Sequence, residues 1–153
     1  MPPIKSTLAK YDLDLLHRIA RAWDVEISQR DAATARTDLQ VRMAQKSLFE
    51  VLIASLPDEV RIAWQNLAAK DGRQTWSEFS RQNGMIRDLG PAARERENPD
   101  RKPVSISETL FYSGLIGRAF LGGAGEPVEY AYIPDELLEF IEKRWNLKFE
   151  NDE

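Results

Sequence analysis

The sequence predicts a mostly α fold of the α+β class: a set of helices on one core with a single short β-hairpin. Three observations carry this. Apolar residues recur at helical spacing through most of the chain. Ser or Thr followed three residues later by Glu or Asp occurs at Ser28/Asp31, Ser47/Glu50, Ser55/Asp58, Thr75/Glu78 and Ser105/Glu108, each just before a helical run. Two apolar-rich runs, 118–121 and 128–133, flank the Gly-rich stretch 122–127, the pattern of a hairpin.

Each element follows in order. Residues 11–23 place Leu13, Leu16, Ile19, Ala20 and Trp23 on one stripe, with Asp12, Asp14, Arg18 and Arg21 off it. A weakly apolar helix, half exposed, is expected over 29–45, and a short apolar one over 47–55. Helix 56–70 carries Val60, Trp64 and Leu67, with Pro57 in its first turn, and ends at Asp71-Gly72. Arg73-Gln74 reads as a short extended piece before helix 76–83, which Gly84 ends. Residues 85–104 read as a charged, Pro-containing loop, followed by helix 106–116, the hairpin, and a last helix over 135–146. In that helix Asp135 and Glu136 open the run and Lys143 and Arg144 close it, as the helix dipole favours.

Helix, short strand, helix, helix, hairpin is the layout of a winged helix-turn-helix, with 106–116 as the third helix and 118–133 as the wing. The expected organisation is an N-terminal helical region (1–55), a winged-helix domain (56–146) and an acidic tail (147–153).

Several stretches also resemble one family. They are Leu8-Ala-Lys-Tyr-Asp-Leu13 with Ile19-Ala20 and Trp23, Leu56-Pro-Asp-Glu-Val60, Gly72-Arg73 with Trp76, Gly90-Pro91 with Arg94-Glu-Arg-Glu97, and Pro103-Val-Ser105. The longest are Gly114-Leu-Ile-Gly-Arg-Ala-Phe120 and Glu129-Tyr-Ala-Tyr-Ile-Pro-Asp135. Together they resemble the winged-helix regions of bacterial, Chloroflexi-type, helicase-associated proteins that are likened to the N-terminal domain of XPB-type helicases. The resemblance implies a winged-helix fold and a role near DNA. It implies no ATPase activity, which would lie outside this region, and it supplies no catalytic residues. It departs at Asp24, where Gly is expected after the Trp, and this bears on the tightness of the turn after the first helix.

Composition narrows the function classes. At 153 residues the chain is too short for a helicase engine, a TIM barrel or a multidomain enzyme. A chain of this size removes roughly 68–70% of its unfolded surface from water, enough for a real core. Four Trp and 9% aromatics argue against disorder. No run of 18 apolar residues and no apolar leader stretch are present, so a cytoplasmic location is expected. With no Cys, neither a disulfide framework nor a thiolate metal site is available. Residues 103–153 carry 4 basic and 10 acidic side chains, so a polyanion should meet the first two thirds of the chain.

The chemistry-bearing residues are few. His17 is the only histidine, so a Ser-His-Asp triad or a zinc site would depend on it; it is read as a partly exposed helix residue. Gly122-Gly-Ala-Gly125 is followed by Glu126-Pro127 rather than Lys and Ser or Thr, so it is read as a wing turn and not a phosphate cradle. Asp12 with Asp14, and Asp135 with Glu136 and Glu139, are read as solvated helix-end charges. Arg87, Arg94, Arg96, Arg101 and Lys102 form the densest basic cluster and are the candidate phosphate-gripping residues. Asp88, Glu95, Glu97 and Asp100 interleave with them, which favours ion pairs within a solvated loop as the competing reading.

The third helix carries Glu108 and no base before Arg118, and the wing adds Glu126 and Glu129. Such a surface meets phosphates with the wrong sign for base reading. The expected function is therefore a non-enzymatic interaction module of a DNA-associated system, without cofactor, metal or small-molecule substrate. Its partners would be a protein and, through phosphates, DNA. The alternative is a DNA-binding winged-helix regulator.

Overall fold

A computed structural model describes residues 2–121 and 125–141. The chain begins with a short helix, α1 (Ile4–Leu8), which the sequence pattern does not announce. Five residues cannot hold a helix by themselves. Tertiary contacts do it: Ile4 and Leu8 are buried, and the Ile4 N–H donates to Glu136 Oε1 at 2.9 Å.

Helix α2 (Leu13–Ala22) is capped by Asp12, whose carboxylate accepts from the Leu15 N–H at 2.8 Å. It ends in a reverse turn, with Val25 N–H donating to Ala20 O and Asp24 N–H to Arg21 O. Such a turn requires a left-handed residue, and Asp24 supplies it at φ 54°. The turn is thus as tight as a glycine would make it. Helix α3 (Ala32–Met43) buries Ala35, Leu39 and Met43, spaced four apart, and exposes Ala33, Thr34, Thr37, Val41 and Arg42. Helix α4 (Lys46–Ser55) buries Phe49 and Leu52, and α5 (Asp58–Ala68) buries Val60, Trp64 and Leu67.

Only two of the five capping boxes cap helices. Thr75 caps α6 (Trp76–Asn83) and Ser105 caps α8 (Ile106–Tyr112), each accepting the N–H of the residue three ahead. Asp31, not Ser28, caps α3; a carboxylate there accepts from the Thr34 N–H at 2.7 Å. Ser47 lies inside α4, and Ser55 ends it, with its hydroxyl turned back onto Leu52 O. Pro57 occupies the cap position of α5 rather than its first turn.

The stretch 85–104 is not a continuous loop. It holds α7 (Pro91–Glu97), with Pro91 opening the helix and Asn98 closing it at φ 46°. Conversely, the expected helix 106–116 stops at Tyr112. Gly114 at φ 70° turns the chain, and a Cβ there would lie 2.9 Å from both Ile19 Cγ2 and Met43 Cε. Two indoles hold this turn: Trp23 Nε1 donates to Ser113 O at 2.7 Å and Trp64 Nε1 to Leu115 O at 2.9 Å.

Strands β1 (Arg73–Thr75), β2 (Gly117–Leu121) and β3 (Val128–Tyr132) form an antiparallel sheet in the order β1-β3-β2. Gly117 pairs with Tyr132 and Leu121 with Val128, so the hairpin follows α8 as the sequence predicts. Gly117 faces the Tyr132 ring, where a Cβ would come within 2.5 Å of Oη. Residues 135–141 are helical; the remainder of the expected last helix, the acidic tail and residues 122–124 of the wing turn lie outside the described residues.

Buried side chains from both sides of residue 55 belong to one apolar cluster. Thr7 Oγ1 lies 2.8 Å from Tyr132 Oη, and Asp135 N–H donates to Pro2 O, so the first helix is sewn to the end of the sheet. Among the described residues no helix is long and apolar enough to cross a membrane.

Candidate nucleic-acid and partner interface

The five candidate cations separate into two groups. Arg87 and Arg94 are structural. The Arg87 guanidinium reaches both carboxylate oxygens of Glu108, at 3.1 Å from Nε and 2.7 Å from Nη2, and its backbone N–H donates to the same carboxylate at 3.0 Å. Val104 N–H adds a fourth donor at 3.1 Å. Glu108 is completely buried. Burial works against its charge, but the Arg87 guanidinium and the two N–H groups outweigh it and hold the carboxyl below the usual range. Arg94 Nη1 lies 2.9 Å from both Asp12 oxygens and 3.3 Å from Asp14.

Arg96, Arg101 and Lys102 differ. All three are exposed, and their side chains make no hydrogen bond or ion pair among the described residues. They stand at the end of α7 and in the turn after it.

One ion pair expected within 84–104 is present, Arg87 Nη1 to Glu97 Oε2 at 3.6 Å, but most leave the segment. They run outward and tie that segment to α2 and α8. Asp14 is shared between Arg94 and Arg18, and Asp100 between Arg18 at 2.6 Å and Arg21 at 2.8 Å. Arg18, expected off the buried stripe of α2, is only 5% exposed, and carboxylates on two sides accept hydrogen bonds from its guanidinium. Asp12 and Asp14 are accordingly not free helix-end charges. Partial burial disfavours ionised Asp12, but the Leu15 N–H and Arg94 overcome it and lower its pKa. Glu136 is likewise engaged, by the Ile4 N–H.

Helix α8 presents little to solvent. Ser107, Glu108, Leu110 and Tyr112 are buried. Phe111 is half-buried, edge-on to Tyr112 at 5.1 Å and to Tyr11 at 5.8 Å. Glu108 therefore is not the surface acid the sequence suggested; it faces inward onto Arg87. Thr109 is half-exposed and lines a cleft of about 240 Å³ with Arg18, Arg21, Leu52, Leu56, Asp100 and Arg101. On the hairpin, Arg118 stacks 4.0 Å over the Trp76 ring and pairs with Glu129 at 2.9 Å, while Phe120 is 67% exposed.

His17 Nε2 lies 3.0 Å from Ser28 O, and Ser28 N–H donates to Asp38, so the histidine ties α2 to the loop before α3. Among the described residues no group of three or more His, Cys, Asp or Glu converges as a metal site would require. Asp14–Arg18 was legible as a helix pair four residues apart. The long-range members, Asp100 and Glu108, carry no local signal in the sequence.

Comparison of the chain with protein-family models, curated proteins and solved structures finds no match.

Proposed function

We propose that this chain is a non-enzymatic winged-helix interaction module of a DNA-associated, helicase-like system, where it positions a partner protein. The winged-helix reading is supported by the succession α5, β1, α6, α8 and hairpin, with α7 inserted between α6 and α8 and β3 lying between β1 and β2. Association with DNA machinery rests on the sequence resemblance. The observation that carries the docking role is the burial of α8. A major-groove reader needs polar side chains free on the helix that enters the groove. Here Ser107 and Glu108 have no exposed surface, and Arg87 is spent on holding Glu108.

A second reading, phosphate-based DNA binding, is favoured by exposed Arg96, Arg101 and Lys102, which have no partner among the described residues. One experiment separates the two: retention of labelled duplex and single-stranded DNA by the intact protein, across salt. The docking role expects retention to be weak, indifferent to sequence and unaffected by Thr109→Ala. Whatever retention exists should vanish in the R96A/R101A/K102A variant, with a log–log salt slope of about −0.9 per duplex phosphate contacted. Tight, sequence-selective binding that depends on Thr109 overturns the docking role. Crosslinked capture of the chain from the cells that make it is expected to recover a DNA-processing ATPase.

A further inference from the structure

The cleft beside α8 combines three features that point to one kind of ligand. First, its charge is unbalanced. Arg18, Arg21 and Arg101 line it, with Asp100 the one lining acid among the described residues. Asp14 takes the Arg18 Nε and Asp100 takes one nitrogen each from Arg18 and Arg21. Arg21 remains 45% exposed, its other nitrogens unbonded among the described residues, and the Arg101 side chain has no partner among them.

Second, the donors left to the cleft among the described residues are the guanidinium groups and the Tyr112 hydroxyl, whose residue is only 3% exposed. The cleft's Ser55 and Ser113 hydroxyls donate to Leu52 O and Leu110 O at 2.7 and 2.9 Å, and Thr109 to Ser105 O at 3.4 Å. A guanidinium fork matches the two oxygens of a carboxylate and equally two oxygens of a phosphate, so the arginines call for an anion and the wall they stand beside decides which.

Third, the cleft has an apolar wall. Ala22, Leu52 and Leu56 line it, and Val51, 70% exposed, stands one turn from Ser55 on the same face of α4. A nucleic-acid backbone has nothing to place against these side chains.

We propose that this cleft docks an acidic peptide segment of a partner protein, with a carboxylate on Arg21 and Arg101 and an adjacent apolar side chain against Leu52 and Leu56. This names the partner's chemistry and rests on the docking role above.

The probe is a dye-labelled, end-blocked hexapeptide alternating aspartate and leucine, read by fluorescence anisotropy with the full chain. Saturable binding that weakens from about 50 to 300 mM salt is expected. R101E should weaken it by about tenfold or more, since the Arg101 side chain makes no bond among the described residues and its reversal leaves folding intact. Peptides with asparagine for aspartate, or alanine for leucine, should each bind less tightly, whereas R96A should bind as the parent does. Unchanged affinity in R101E, equal affinity for the alanine peptide, or displacement by a short single-stranded oligonucleotide overturns the proposal, the last in favour of a phosphate site. So does absence of binding up to millimolar peptide. A chain that fails here and reads no bases loses this cleft but keeps a docking role; one that reads bases through Thr109 loses the docking role, whatever the peptide does.

Discussion

The buried Glu108–Arg87 pair gives the sharpest test of how this fold is held. Glu108→Gln keeps the shape and removes one acceptor and the charge. The carboxylate now takes four donors: Arg87 N, Nε and Nη2, and Val104 N. A carboxamide has one acceptor oxygen, so its NH2 must face at least one of these donors. Breaking a fully buried pair costs about 3–5 kcal/mol. Arg87 is 27% exposed, so water can take up part of the orphaned guanidinium, and the loss should be about 2–3 kcal/mol.

Urea denaturation of E108Q should show a lower midpoint at unchanged m-value. The pH dependence has a definite sign. The folded pKa of Glu108 lies below its ordinary value of about 4.3, so its contribution is complete above that value and is lost as pH falls through the folded pKa. The stability gap between the parent and E108Q should therefore narrow in acid. A loss under about 0.5 kcal/mol, or a gap that is constant to low pH, refutes the account.

Trp64→Ala should cost about 3–5 kcal/mol, because the indole is completely buried and its N–H holds Leu115 O at the turn after α8; a cost below about 1 kcal/mol in the same denaturation assay rejects this. Asp24→Gly should raise Tm by about 1–2 °C in calorimetry, relieving a left-handed non-glycine residue at an exposed turn, and a fall in Tm counts against it. In native-state hydrogen exchange the amides of α7, which buries no side chain, should exchange before those of α5 and α8; equal protection contradicts its being held by surface ion pairs and caps alone.

How much of this was legible in the sequence depends on how far apart the deciding groups are. Helices with a three- or four-residue apolar spacing, such as α2 and α5, and the hairpin with its Gly-rich turn, are written locally and are found. The boxes at Thr75 and Ser105 are real because a non-helical residue precedes each; Ser55 fails because it is itself the last residue of α4, and Pro57 then caps the next helix. Helix α1 is invisible because its stability comes from Glu136 and the sheet, more than a hundred residues away. Helix α7 is invisible because it has no apolar stripe at all. Of the candidate site, the basic cluster was found by counting charges. Which of its members are available could not be, since the carboxylates that occupy Arg87 and Arg94 come from α8 and α2.

That division changes what charge means along 84–104. Five cations stand there, but two are bound to acids elsewhere, and the acid they were set against in the third helix has left the surface with them. The wrong-sign objection to DNA therefore loses its main charge. A stronger, geometric objection replaces it, because the same pairing carries 85–104 alongside α8 and leaves Thr109 at the wall of a cleft rather than on an open ridge. Partly buried ion pairs of this kind contribute little net stability over apolar replacements, but they make wrong arrangements costly. Arg18, Arg87 and Arg94 are best understood in that role: they set where α7 and the 98–101 turn lie against α2 and α8. By fixing that position they place Arg101 beside Arg21, and so make a cleft from helices that would otherwise present separate faces.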